Sequence, residues 1–266
     1  MWLKLFKNEE ELSKRFLNVH PTNYFRLIVQ DTFICISRFQ NRQPVYRTEL
    51  VINDGQFQAL DILLNSFPSY PVYIVLKGQE SHFRVVSFMA SRWWHRRSLL
   101  KQAEEGEFSE TDWVHAQPIS SVQDTQRYLL VGVSPGMFLQ ELVNNLQYLS
   151  NPLIGIQLWL IVFADQVFKI LKRQNNQING EWVMIVRQQK PGNWQLIVCH
   201  QQVVIFHREG KLSTREAVVD LTGEVTSTMR YLSRHGYQQG DPITLIQIGF
   251  EGVLKLEKFQ QSITTC

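Results

Sequence analysis

The sequence predicts a two-lobed α/β protein in which one unit, three strands followed by a helix and a fourth strand, occurs twice. Three observations predict it. Two separate stretches each carry three closely spaced runs rich in β-branched and aromatic residues. Each stretch continues into an apolar stripe at helical spacing and then into a further short apolar run. The chain, at 266 residues, also exceeds the usual size of one domain, so two lobes are the default.

In the first stretch the runs are 25–29, 33–39 and 45–52, separated by short polar turns at Asp31 and at Gln40-Asn41. After Asn53-Asp54-Gly55, the residues Phe57, Leu60, Leu63, Leu64 and Phe67 recur at helical spacing, and Pro68 and Pro71 stop the helix before a strand at 72–76. In the second stretch the runs are 182–186, 194–199 and 203–207, with turns at Pro191-Gly192-Asn193 and His200-Gln201-Gln202. A helix over 214–235 follows through Ala217, Val218, Leu221, Val225, Met229 and Leu232; Gly236 ends it, and 243–248 is the next strand. An antiparallel meander that continues through a helix into a parallel strand is the ribonuclease-H-type unit, and two in tandem make the actin-like fold. The repeat is one of element order, not of residue identity.

Between the two stretches the pattern predicts a strand at 82–89, a helix over 95–105 and a Glu/Gly/Ser-rich loop running to Asp112. It then predicts a strand at 127–133, a helix over 135–149 with Pro at its start, a strand at 153–156 and a helix over 161–171. The polar segment 175–180, ending in Gly180, reads as the linker. The expected lobes are 1–174, carrying the inserted α/β elements, and 175–266.

Hydrophobic residues at 44%, aromatics at 12% and charged residues at 19% belong to a chain that folds throughout. A net charge of +3 is too small to announce a nucleic-acid or anionic-membrane partner. Cys35, Cys199 and Cys266 are odd in number and have no CxxC spacing, so neither a disulfide framework nor a zinc site is expected. The opening residues lack a basic region, a long apolar stretch and a cleavage site, so no export signal is expected and a reducing cytosolic compartment fits best. The longest apolar run, 152–164, is interrupted by Gln157 and closed by Asp165, short of the roughly 20 residues that span a bilayer.

An actin-like ATPase needs two turns rich in Asp and Gly, because glycine lets backbone N–H groups approach phosphate and an Asp holds magnesium through water. The first such turn here is Gln30-Asp31-Thr32-Phe33: Asp31 and Thr32 could act, but Phe33 stands where a close-approach glycine is wanted. The second, Gln188-Gln189-Lys190-Pro191-Gly192-Asn193, has no carboxylate. Asp31 therefore reads as a hairpin-turn residue rather than a metal ligand, and neither a nucleotide cofactor nor catalysis is expected. Neither a GxxxxGK[ST] nor a GxGxxG motif occurs. Asp31, Glu49 and Asp61, at a turn, on a third strand and on a helix, do not read as the converging carboxylates of a metal-dependent nuclease. The seven histidines have no HExxH or paired spacing and read as surface or strand-end residues, and no serine nucleophile elbow is present.

The densest unusual feature is Ser91-Arg92-Trp93-Trp94-His95-Arg96-Arg97, with Lys101 one helical turn after Arg97. Arginines interleaved with aromatics suit a protein-binding hot spot or a base-stacking surface. The plainer reading is a helix capped by Ser91, with its tryptophans packed inward and its arginines solvated. Arg92, Trp93, Trp94, Arg96 and Arg97 are the candidate partner-binding residues.

The order of pieces resembles the actin-like cytoplasmic domains of type IV pilus and type II secretion inner-membrane platform proteins, the PilM and GspL type. The residues that carry the resemblance are the hairpin strands of 25–52, Val85-Val86-Ser87-Phe88 leading to Arg96-Arg97-Ser98-Leu99-Leu100, and Pro152-Leu153-Ile154-Gly155-Ile156. It continues through Phe206-His207-Arg208-Glu209-Gly210-Lys211-Leu212 and Arg230-Tyr231-Leu232, covering most of 24–250. The resemblance implies a scaffold on the cytoplasmic face of the inner membrane that recruits an assembly ATPase and inner-membrane subunits, and it allows a homodimer. Some members retain ATP binding, from which both turns here depart. GspL-type members continue into a membrane helix, so an end at Thr264-Thr265-Cys266 is expected to mark a fragment. Two other readings stand beside the scaffold. A diverged ATP-binding cleft around Asp31 predicts nucleotide-dependent stabilisation, and a nucleic-acid module on the Arg/Trp cluster predicts salt-dependent binding to single strands.

Overall fold

The structure is a computed structural model and describes residues 21–31, 33–52, 57–89, 93–109, 112–122, 125–173, 182–190, 193–211, 221–233, 237–238, 241–248 and 254–259. In chain order the first elements are β1 (Tyr24–Gln30), β2 (Phe33–Gln40), β3 (Gln43–Val51), α1 (Gln58–Asn65) and β4 (Val72–Leu76). Next come β5 (Ser81–Met89), α2 (Trp93–Glu107), β6 (Trp113–Val122), β7 (Thr125–Val133), α3 (Met137–Gln147), β8 (Leu153–Leu158) and α4 (Trp159–Arg173). The last are β9 (Trp182–Lys190), β10 (Asn193–His200), β11 (Val203–Lys211), α5 (Leu221–Leu232), β12 (Ile243–Ile248) and β13 (Leu254–Phe259).

The first five-stranded sheet has the order β3-β2-β1-β4-β8, and the second β11-β10-β9-β12-β13. In the first, β2 runs antiparallel to β1 and β3, whereas β4 is parallel to β1 and β8 is parallel to β4. In the second, β10 is antiparallel to β9 and β11, and β12 is parallel to β9. These are two ribonuclease-H-type units in tandem, the duplication that defines the actin-like class. They differ at the fifth strand: β13 is antiparallel to β12. Only residues 249–253 separate the two, too few for the crossover a parallel strand requires. A small third sheet has the order β5-β7-β6.

The chain divides into two compact units. One takes residues up to His82, then Ser91–Gln117 and Leu130–Val162; the other takes Phe83–Ala90, Pro118–Leu129 and everything from Phe163. The expected lobes 1–174 and 175–266 each contain one five-stranded sheet, while the unit boundary falls inside α4, and the linker expected at 175–180 lies outside the described residues.

Within the first unit, β4 is buried along its whole length, as a strand bonded on both sides and covered on both faces must be. Phe25, Leu27 and Val29 of β1 pair across from Val72, Ile74 and Leu76, and Leu60 and Leu64 of α1 and Leu139, Leu142 and Leu146 of α3 are buried in the same unit. Asn151 is 2% exposed, and its amide donates to the carbonyls of Phe67 (2.8 Å) and Tyr70 (2.9 Å), tying the loop before β8 to the end of α1. In the second unit Trp182, Met184, Trp194, Leu196, Ile205, Ile243 and Leu245 form one core with Val225, Met229 and Leu232, three positions of one α5 stripe.

Several predicted bounds shift for local reasons. The helix predicted over 135–149 begins at Met137, because Gly136 is extended (φ −64, ψ 164) and serves as the cap. The stripe from Phe57 to Phe67 becomes α1 over Gln58–Asn65, with Ser66 Oγ bonding back to the Ile62 carbonyl (2.8 Å). Two strands were not predicted. β6 contains Pro118, which a strand tolerates at a sheet edge, where β6 lies. β13 alternates Leu254 and Leu256 with Lys255 and Glu257, the charged pattern of an edge strand. The first residues predicted for α5, 214–220, and its terminator Gly236 lie outside the described residues.

Corresponding hairpins in the two sheets turn through Asn41-Arg42 (φ 50 and 63) and Gln201-Gln202 (φ 50 and 66). Two successive left-handed residues make a type I′ turn, which matches strand twist but favours Asn-Gly. Replacing Gln202 with Gly should therefore raise stability by about 1 kcal/mol. Gly210 of β11 lies opposite Trp194 of β10, and a Cβ there would sit 2.3 Å from the indole ring. Gly210→Ala should cost about 1–3 kcal/mol by overpacking. Urea unfolding midpoints of the two variants check both signs.

Candidate functional site

In an open α/β sheet, ligands sit beyond the carboxyl ends of the parallel strands. In the first unit those ends are Gln30 of β1, Leu76 of β4 and Leu158 of β8. Asp31 follows β1 at φ 51, exposed, as the turn residue the sequence predicts. Thr32, the other weak cofactor candidate, lies outside the described residues. The Lys77 amide donates to the Val29 carbonyl (2.8 Å), extending the parallel pairing, and Gly78 (φ 76) follows close to the Gln30 side chain. Asp31 is the carboxylate of the turn after β1, and Glu80, 3.5 Å from His82, lies in the loop after β4.

The other carboxylates considered lie elsewhere in the unit and are engaged. Glu49 on β3 sits 3.7 Å from an Arg47 guanidinium nitrogen, and Asp61 on α1 accepts a 2.6 Å bond from Asn145 of α3. Among the described residues no three His, Cys, Asp or Glu side chains group as metal ligands.

In the second unit β9 ends in Gln188-Gln189-Lys190, and Arg187 just before it lies with its guanidinium 4.8 Å from the Phe163 ring. Burial draws the Arg187 pKa down. Residues 191–192 and the side chains of 188–190 are outside the description.

Nucleophile candidates fare no better. Cys35 and Cys199 are both buried, and burial pushes the Cys199 thiol far up, so it stays protonated. His200 ends β10, buried with its ring 4.4 Å from that of Trp182. His207 is half-buried beside Phe83, and burial lowers its pKa.

Of the Arg/Trp cluster, Trp93 and Trp94 open α2, but their side chains, like Arg92, lie outside the description. From His95 to Glu107 no α2 residue is fully buried: Arg96, Leu99, Leu100 and Ala103 are half-buried, and His95, Arg97 and Lys101 are exposed. Arg96 Nε is buried without a hydrogen-bond partner.

A second place was not read from the sequence. Arg26 of β1, Ser37 of β2 and Arg47 of β3 stand opposite one another across three strands and so share one sheet face. With Phe39, Pro44, Val45 and Tyr46 they line a pocket of about 490 Å³. The register shift between Arg38 and Phe39 lies beside it.

No protein-family model matches this sequence, and no curated protein is similar to it in sequence. Solved structures do match. A chain of the PilM–PilN type IV pilus biogenesis complex aligns over 85% of this chain and 81% of its own, at 11% identity and a TM-score of 0.53. The cytoplasmic domain of EpsL, an inner-membrane component of the type II secretion system of Vibrio cholerae, aligns over 85% and 82% at 10% identity and a TM-score of 0.48. A Bacteroides thetaiotaomicron protein with an actin-like ATPase fold aligns over 86% and 82% at 8% identity and a TM-score of 0.42. The resemblance drawn from the order of segments is thus present in the backbone, as a likeness of fold.

If Asp31 serves the turn, Asp31→Gly relieves a left-handed residue and should leave stability unchanged or raise it by up to about 1 kcal/mol, whereas Asp31→Ala should cost about 1 kcal/mol. Thermal melts of the two variants give the order; a Gly variant less stable than the Ala variant contradicts the turn role.

Proposed function

We propose that this chain is a non-catalytic scaffold that docks protein partners, an assembly ATPase and inner-membrane subunits, on the cytoplasmic side of a bacterial pilus or secretion platform. The observation that carries this reading is the duplicated ribonuclease-H-type sheet in which the first phosphate-side turn holds Asp31 as its single carboxylate and Phe33 in place of a glycine. Such a turn offers phosphate neither a bare backbone nor a second acid to share magnesium. The fold shared with a chain of the PilM–PilN complex supports a role in assembly, and the incompletely buried α2, with Arg96 and Arg97, supports docking through the Arg/Trp cluster. Among the described residues no helix is long and apolar enough to cross a membrane.

Calorimetry and thermal melts with MgATP test the reading. The expected result is no binding heat, no turnover and an unshifted melting temperature; a nucleotide that binds tightly stabilises by RT ln(1 + [L]/Kd), and such a shift, abolished by Asp31→Ala, overturns it.

A further inference from the structure

We propose that the pocket of Arg26, Ser37 and Arg47 at the outer edge of the first sheet receives the carboxylate of an extended, acidic segment of a partner protein, paired as a strand along β3. The inference rests on the docking role above and names its surface.

Strand β3 is the last in its sheet, and most of its side chains are exposed. Val45 (48% exposed), Tyr46 (41%) and Val51 (64%) put three large apolar side chains of one edge strand in solvent. Edges left free are usually blunted by charges, above all lysine, by proline or by a bulge; β3 has no lysine, its Pro44 and its register shift lie at one end, and residues 46–51, with Arg47 and Glu49 as their charges, keep a regular register. A strand of this kind is suited to strand addition, in which the main chain supplies the bonds and pockets for alternate side chains supply selectivity.

The pocket beside it specifies charge. Ser37 is only 4% exposed, lines the pocket and makes no hydrogen bond among the described residues. Arg26 lies with its guanidinium 4.9 Å from the Phe39 ring, and its Nε is buried with no hydrogen-bond partner. Arg47 donates from Nε to the Cys35 sulfur (3.3 Å), which turns its remaining nitrogens outward toward Glu49. Two guanidiniums and an unused hydroxyl therefore face the pocket, against one carboxylate. A buried donor without an acceptor, here Arg26 Nε, favours an incoming oxyanion, and guanidinium–carboxylate bonds are the strong, directional kind. A strand added to β3 lies about 4.8 Å outward, with alternate side chains on the pocket's face, so one Asp or Glu reaches Arg47 while its β-branched neighbours, on the other face, cover Tyr46.

The test uses the full chain and a capped, fluorescein-labelled octapeptide of alternating Glu and Val, with the Lys–Val octapeptide as control. Fluorescence anisotropy should show binding of the acidic peptide alone, competition by millimolar inorganic phosphate, and slowed amide exchange in β3 on binding. Arg47→Glu, at an exposed position, should weaken the acidic peptide at least tenfold and admit the Lys–Val peptide. Ser37→Ala should weaken the acidic peptide without admitting the other. Equal binding of both peptides, binding of neither, or an unchanged affinity in Arg47→Glu overturns the proposal. Binding of phosphate without the acidic peptide assigns the pocket to a free oxyanion and also overturns it. These failures leave the MgATP result untouched, and a positive MgATP result would sink the scaffold reading whatever the peptides do.

Discussion

The constraint on which both lobes depend is that one strand must bond on two sides in two senses. β1 accepts β2 antiparallel through a tight turn and β4 parallel after a helical crossover, and β9 does the same with β10 and β12. A strand in that position is covered by neighbours on both edges, so its core-facing residues are wholly apolar: Phe25, Leu27 and Val29 in one lobe, Met184 and Val186 in the other. The helix that makes each crossover packs a stripe back onto its own sheet, which is why α1 and α5 are amphipathic rather than apolar all round. Every surface considered above, the turn after β1, the loop before β8 and the outer edge at β3, is located by this arrangement.

The strand and helix order was legible because each hairpin is short and each strand alternates or runs apolar, so local chemistry and global fold agree. Where they disagree, reading fails. β6 carries a proline and two serines and takes its place as an edge strand in a sheet with β7 and β5, not by its own propensity. The left-handed pairs Asn41-Arg42 and Gln201-Gln202 carry no glycine, so nothing in their composition marks the turn type they share. The turn at Asp31 was visible because an Asp between two apolar runs has few other uses. Arg26, Ser37 and Arg47 were not visible: they are scattered along the chain, and only the strand register makes them neighbours.

Three polar side chains of the first lobe tie its elements together. Asn151 holds two carbonyls at the end of the α1 connection, Asp61 fastens α1 to α3 through Asn145, and the Tyr73 hydroxyl donates to the Gln157 side chain between β4 and β8. Each bond satisfies a donor or acceptor that would otherwise cost its desolvation if buried.

The opposed directions of the outermost strands have a consequence for synthesis. β13 follows β12 after a few residues, so the second sheet closes by a hairpin formed between near neighbours. β8 instead lies beyond residues 77–152 from its partner β4, and its slot must wait while that whole intervening stretch leaves the ribosome. Until then the outer side of β4, apolar and unbonded, is open to any passing strand. The first lobe, although made earlier, has the longer period of exposure, and contacts distant along the chain also form more slowly than adjacent ones.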